Sequence, residues 1–135
     1  MRWVANLAVC GLLISCVSAH SPKMTQVNDG FDGREVILHT GEMLEVRLSE
    51  NPSTGYRWKE PEESRAAWVD VLRQVDDKFE SAAPPTPGKP GTRILHFEAV
   101  AAGDADLVLL YGRSWDSGAQ PAKTFRLRVR VQPGH

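Results

Sequence analysis

From Lys123 to Gln132 the chain alternates without a break: Phe125, Leu127, Val129 and Val131 are apolar, and Arg126, Arg128 and Arg130 stand between them. A period of two puts these sets on opposite faces of an extended strand, one for a core and one for water. A helix cannot do this, because its faces recur at three and four residues. The run therefore needs a second apolar layer over its inner face, and the rest of the chain must supply it. The arginine face reads as the solvated side of an edge strand, with a basic docking patch as the alternative.

Other segments supply that layer. Leu44, Val46 and Leu48 alternate with Glu45, Arg47 and Ser49, a second half-buried strand. Residues 34–40 hold Val36, Ile37 and Leu38 between two glycines and predict a buried strand. Tyr56 and Trp58 share one side of a short strand, with Trp58 as a core filler. Trp68, Val69, Val71 and Leu72 predict a strand running to Phe79, in preference to a helix over 61–67. In 92–100, Leu95, Phe97 and Ala99 face inward, and 106–111 is apolar enough for the middle of a sheet. Seven short strands with regular turn signals predict an all-β fold, an immunoglobulin-like antiparallel β-sandwich over residues 34–133.

Three connections stand out. Asn51-Pro52-Ser53-Thr54-Gly55-Tyr56 is a stiff turn: Pro52 fixes its φ, Gly55 accepts a positive φ, and Asn51 and Ser53 can bond their own backbone. Residues 82–92 carry Pro84, Pro85, Pro87, Gly88, Pro90 and Gly91 and predict an exposed loop; residues 112–121, with Gly112, Gly118 and Pro121, predict another. In a sandwich of this type all three leave from one end, and stiff loops gathered on a rigid scaffold make a binding surface.

The leader is separate from the fold. Residues 1–19 pair a basic start with a mostly apolar stretch from Val4 to Val17, the pattern of a secretory signal. Leu13-Ile14-Ser15-Cys16 has the form of a bacterial lipobox, with cleavage before Cys16 and a lipid on its sulfur; Val17-Ser18-Ala19 before His20 offers ordinary cleavage instead. The expected location is the periplasm or the outer membrane, or outside the cell, with the membrane met only through that lipid. Residues 20–33 are polar and predict a tether. Both cysteines, Cys10 and Cys16, lie in the leader, so the domain has neither a disulfide nor a thiol nucleophile.

A net charge of −1 argues against a nucleic-acid binder. His20, His39, His96 and His135 fall in no hydrolase or metal-site pattern, and no Gly-x-Ser-x-Gly elbow is present, so no catalytic residue, metal or cofactor is expected.

The string 51–56, then Gly88-Lys89-Pro90-Gly91 before a strand ending Phe97-Glu98-Ala99, then Tyr111-Gly112-Arg113-Ser114-Trp115, closely resembles the chagasin family of inhibitors of papain-like cysteine peptidases. That family shows an Asn-Pro-Thr-Thr-Gly-aromatic loop, a Gly-x-x-Gly loop and an Arg-Pro-Trp loop in this order. The resemblance covers about the last hundred residues. It departs at Ser53, which keeps the hydroxyl of the usual Thr, and at Ser114, which replaces the Pro and loosens the third loop. The resemblance implies a monomer that plugs a papain-like cysteine peptidase. Asn51, Pro52, Ser53, Thr54, Gly55 and Tyr56 would enter the cleft, Gly88, Pro90, Gly91 and Thr92 would grip one side, and Arg113, Ser114 and Trp115 the other, with Trp115 as aromatic anchor. The alternative is an exported binding module for an envelope component, a glycan or another protein, for which Trp115-Asp116 and Gln120 offer a foothold.

Overall fold

The computed structural model describes residues 11, 21–113 and 120–134. The leader cysteines and the Leu13 to Cys16 motif lie outside the described residues, as do Ser114 and Trp115. The described strands are β1 (Met24–Asn28), β2 (Arg34–His39), β3 (Met43–Glu50), β4 (Tyr56–Lys59), β5 (Leu72–Glu80), β6 (Gly91–Ala99), β7 (Gly103–Arg113) and β8 (Lys123–Gln132). They form two four-stranded sheets, ordered β1-β3-β6-β5 and β2-β8-β7-β4. Pairing is antiparallel except for β1 on β3 and β2 on β8, which are parallel. The fold is the expected immunoglobulin-like β-sandwich. Leu44, Val46, Leu48, Leu95 and Phe97 from one sheet meet Leu38, Leu107, Leu109, Phe125, Leu127 and Val129 from the other. Each such side chain contributes about 1.5–3 kcal/mol by leaving water.

Four expectations are corrected. There are eight described strands rather than seven, because residues 24–28 of the expected tether pair with β3. In β1, Val27 alone is buried, at 2% exposure, and one apolar residue sets up no period. The next residues stitch the sheets together: the Asp29 carboxylate accepts the Ser49 N–H at 3.2 Å and Asp32 accepts the Arg126 N–H at 2.8 Å. The domain thus begins within the span 20–33.

β2 buries one face only, since Val36 and Leu38 point inward while Ile37 is 53% exposed at the sheet edge. The third correction concerns Trp68. Residues Glu62–Ala67 form a 3-10 turn, and β5 starts at Leu72. Trp68, Val71 and Leu72 are spaced as one helical turn, and the N–H groups of Val71 and Leu72 both donate to the Trp68 carbonyl, at 2.9 and 2.8 Å. Trp68 is buried all the same, edge-on to Phe97 with its indole N–H on Glu60.

The fourth concerns β8, which lies between β2 and β7 and is no edge. Two of its three outward arginines are matched across the strands: Arg128 meets Asp106 at 3.1 Å, and Arg130 meets Asp104 at 3.3 Å and Glu35 at 3.6 Å. The charge ladder keeps this open face soluble. Asp106 also raises the Arg128 pKa, by a hydrogen bond and then by its charge.

Candidate functional site

Strand register puts the three connections at one end. Glu50 at the close of β3 pairs with Gly91 at the start of β6, and Glu80 at the close of β5 pairs with Thr92. In the second sheet Tyr56 opens β4 opposite Arg113, and Lys123 opens β8 opposite Tyr111. Connections 51–55, 81–90 and 114–122 therefore all leave from this pole. The sheets meet there through the Asn51 N–H, which donates to the Tyr111 hydroxyl at 3.0 Å.

The 51–55 turn is held by its own atoms. Pro52–Thr54 forms a single 3-10 turn closed by Gly55 at φ 80°, a left-handed conformation that disfavours residues with a Cβ. The Gly55 N–H donates to the Pro52 carbonyl at 3.0 Å. The Ser53 hydroxyl donates to Asn51 Oδ1 at 2.6 Å, and the Thr54 hydroxyl to the Asn51 carbonyl at 2.7 Å. Both side chains are exposed, yet their protons serve the turn itself. Each bond contributes about 0.5–1.5 kcal/mol to holding the shape.

The base of the turn is clamped from two sides. Glu50 is 1% exposed, and its carboxylate accepts the Trp58 backbone N–H at 2.9 Å. The Trp58 indole N–H donates to the Ser49 carbonyl at 2.8 Å. The other Glu50 oxygen lies 3.5 Å from Arg93, which Asp77 holds with two hydrogen bonds. Asp77's hydrogen bonds, opposed by burial and helped by the charges of Asp77 and Glu50, raise the Arg93 pKa. Burying a carboxylate is tolerated only with such partners. Sequence reasoning overlooked Glu50, although the signal was there: it continues the inward series Leu44, Val46, Leu48.

A stack of rings continues the clamp. Trp58 and Tyr111 lie 5.0 Å apart, Tyr111 and Tyr56 5.5 Å apart, and the Arg113 guanidinium sits 4.6 Å above the Tyr56 ring. Gly112 and Arg113 are therefore strand residues of β7, not part of a loop spanning 112–121. Lys123 covers the Tyr111 ring at 5.4 Å. Cation and ring attract because the ring face is electron-rich.

Most of the expected site residues within the described chain come together: Asn51 to Tyr56, Gly88 and Arg113, while Pro90 lies in the same connection as Gly88, just before β6. Gly88 is exposed at φ +81°, and its carbonyl accepts the Asn51 side-chain N–H at 3.1 Å. Gly91 and Thr92 differ from expectation. Both belong to β6, and Gly91 is buried because a Cβ there would run into the Glu80 carbonyl and the Phe79 ring. Gly91 is thus a packing glycine under the second loop, and Thr92 is half-buried beside it. Ser114 and Trp115 lie outside the described residues.

The tip carries no ionisable group from Asn51 to Gly55. A neutral turn can leave water without the several kcal/mol that an unpaired charge costs. Its shape is set in advance, so little ordering entropy remains to be lost on insertion. The arrangement is that of a wedge, with Arg113 and Lys123 placing positive charge on one flank.

The sequence profile described as "Chagasin family peptidase inhibitor I42" matches residues 37–129. Amoebiasin-1 of Entamoeba histolytica is 31% identical over 97 residues, 72% of this chain and 89% of that one. Chagasin of Trypanosoma cruzi is 24% identical over 106 residues, 78% of this chain and 96% of that one. Among solved structures, the cysteine protease inhibitor EhICP2 of Entamoeba histolytica superimposes with a TM-score of 0.67 at 20% identity, covering 82% of this chain and 96% of that one. The profile spans more than half of the sequence, and with the wedge-shaped end it leads to one conclusion: the chain belongs to the chagasin family of peptidase inhibitors.

Proposed function

We propose that this protein inhibits papain-like cysteine peptidases by seating the 51–55 turn in the active-site cleft, flanked by the loops 81–90 and 114–122. The observation that carries the reading is the neutral, self-bonded turn at the pole where three connections meet. It agrees with a family of peptidase inhibitors and with the cysteine protease inhibitor named among the structural relatives. Inhibition needs no chemistry from the inhibitor. A peptide is cut only when its carbonyl is held in line with the nucleophile and the oxyanion donors, and a turn fixed by its own bonds need not present one there. Trp115 and Arg113 supply the aromatic and cationic types that dominate interface energetics.

The leader carries the chain out of the cytoplasm, and Cys16 takes a lipid when the lipobox is used. β1 runs parallel to β3 and starts beside Met43, at the pole opposite Asn51. A tether leaving from there points the wedge away from the membrane.

The experiment is a titration of the mature chain into papain with a fluorogenic peptide. One-to-one loss of activity with an uncut inhibitor supports the proposal, and Trp115→Ala should weaken it while leaving the thermal midpoint nearly unchanged. Full papain activity beside micromolar, folded protein would turn the case to an exported binding module of another kind.

A further inference from the structure

We infer that Asn51 is a positioning residue that couples two of the loops, setting residues 81–90 against the 51–55 turn before a peptidase arrives. The inference rests on the reading that this pole meets a peptidase, and it assigns Asn51 a role inside the inhibitor rather than at the interface.

Asn51 is bonded within the molecule at every kind of polar atom it has. Its backbone N–H donates to Tyr111, and its carbonyl accepts the Thr54 hydroxyl. Its Oδ1 accepts the Ser53 hydroxyl, and its Nδ2 donates to the Gly88 carbonyl at 3.1 Å. The loop 81–90 does little to hold itself. Its internal hydrogen bonds are short-range, the Thr86 hydroxyl to the Pro84 carbonyl at 3.2 Å and the Lys89 N–H to the Thr86 carbonyl at 3.1 Å. Among the described hydrogen bonds, the one from Asn51 to Gly88 is what joins this loop to the rest of the fold.

Prolines stiffen the loop but give it no N–H to bond with. Between them, Pro52 and Ser53 face Phe79, Pro85 and Pro87 across a shallow groove. Without the tie, the second loop is free to lift off that groove, and a binding partner must order it again at an entropic cost. A side-chain amide is well suited to the task, since it donates to one loop and accepts from the other at once.

The test uses Asn51→Ala, which removes the donor to Gly88 and adds no charge to the tip, with Ser53→Ala as the control for the Ser53 bond lost with it. Inhibition of papain is measured in the parent chain and in a chain whose residues 84–87 are replaced by a two-residue Asn-Gly turn. A positioning role predicts about a tenfold rise in the inhibition constant over Ser53→Ala in the parent background, in line with one lost hydrogen bond, and almost none in the shortened background. An equal penalty in both backgrounds means that Asn51 touches the peptidase directly and overturns the inference.

A second measurement does not depend on inhibition or on the shortened chain. Amide exchange at Lys89 in the free protein should quicken severalfold in Asn51→Ala and stay unchanged in Ser53→Ala; an unchanged rate in Asn51→Ala overturns the inference. A parent chain that leaves papain fully active counts against the proposed function alone, and the exchange rates still decide the role of Asn51.

Discussion

The Glu50 carboxylate and the Trp58 N–H close the base of the 51–55 turn at 2.9 Å, joining strands that belong to different sheets. The bond fixes the angle at which the turn leaves the sandwich. It is also a buried charge that depends on its partners. Glu50→Ala removes the acceptor and leaves Arg93 with Asp77 alone, so a loss of about 3 kcal/mol is expected. Urea unfolding monitored by tryptophan fluorescence measures it. Glu50→Gln keeps an acceptor for Trp58 and should recover part of the loss.

Thr54 stands at the tip, exposed, with its hydroxyl turned back to the Asn51 carbonyl. Thr54→Glu puts a charge where the proposed function needs a dry, neutral surface. The inhibition constant toward papain should rise more than a hundredfold, about 3 kcal/mol, because an unpaired carboxylate is pushed into a cleft. The thermal midpoint should move by no more than a few degrees, since one exposed hydrogen bond is lost. A variant that inhibits as well as the parent would remove Thr54 from the interface.

Gly91→Ala tests the packing role assigned to that residue. The new methyl group meets the Glu80 carbonyl, which is backbone and cannot swing aside, and the Phe79 ring. Overpacking of this kind costs about 1–3 kcal/mol. The midpoint should fall by about 5–15 °C, and a variant with unchanged stability would contradict the packing.

Glu45 gives the fold a dependence on pH. It is buried on the outer face of its sheet, with Gln26, Arg47 and His96 bonded to it and Asp76 on the far side of the His96 ring. Burial pushes its pKa up, but the hydrogen bonds from His96 and Arg47, and then their charges, leave it below the ordinary 4.5. The fold therefore favours the ionised form. This contribution is whole above pH 4.5 and is lost as pH falls from there through the lowered folded value. The stability gap between the parent and Glu45→Gln should narrow on acidification across that window. A gap that widens would reverse the sign argued here.

The regular strands were legible in the sequence because alternation leaves a record: β3, β6 and β8 bury the residues that their periods mark. β1 was not, since Val27 alone marks its inner face and its pairing with β3 is long-range. The position of β8 inside its sheet was hidden for a related reason. Arginines on an open face look alike at an edge and in the middle, and only the facing Asp104 and Asp106 of β7 tell them apart. The 51–56 turn could be read from residue type, down to the positive φ of Gly55. The roles of Gly91 and Asn51 could not, because each is defined by a neighbour far along the chain.

The central claim is that one pole of the sandwich enters a peptidase cleft. Amide exchange of the mature chain, alone and saturated with papain blocked at its catalytic thiol by a small methylating reagent, reads this most directly. The account predicts slowed exchange at Ser53 to Tyr56 and at Gly88 and Lys89, with the opposite pole around Thr40 and Ala101 unchanged. Protection confined to that opposite pole, with the 51–55 turn exchanging as freely as before, would contradict it.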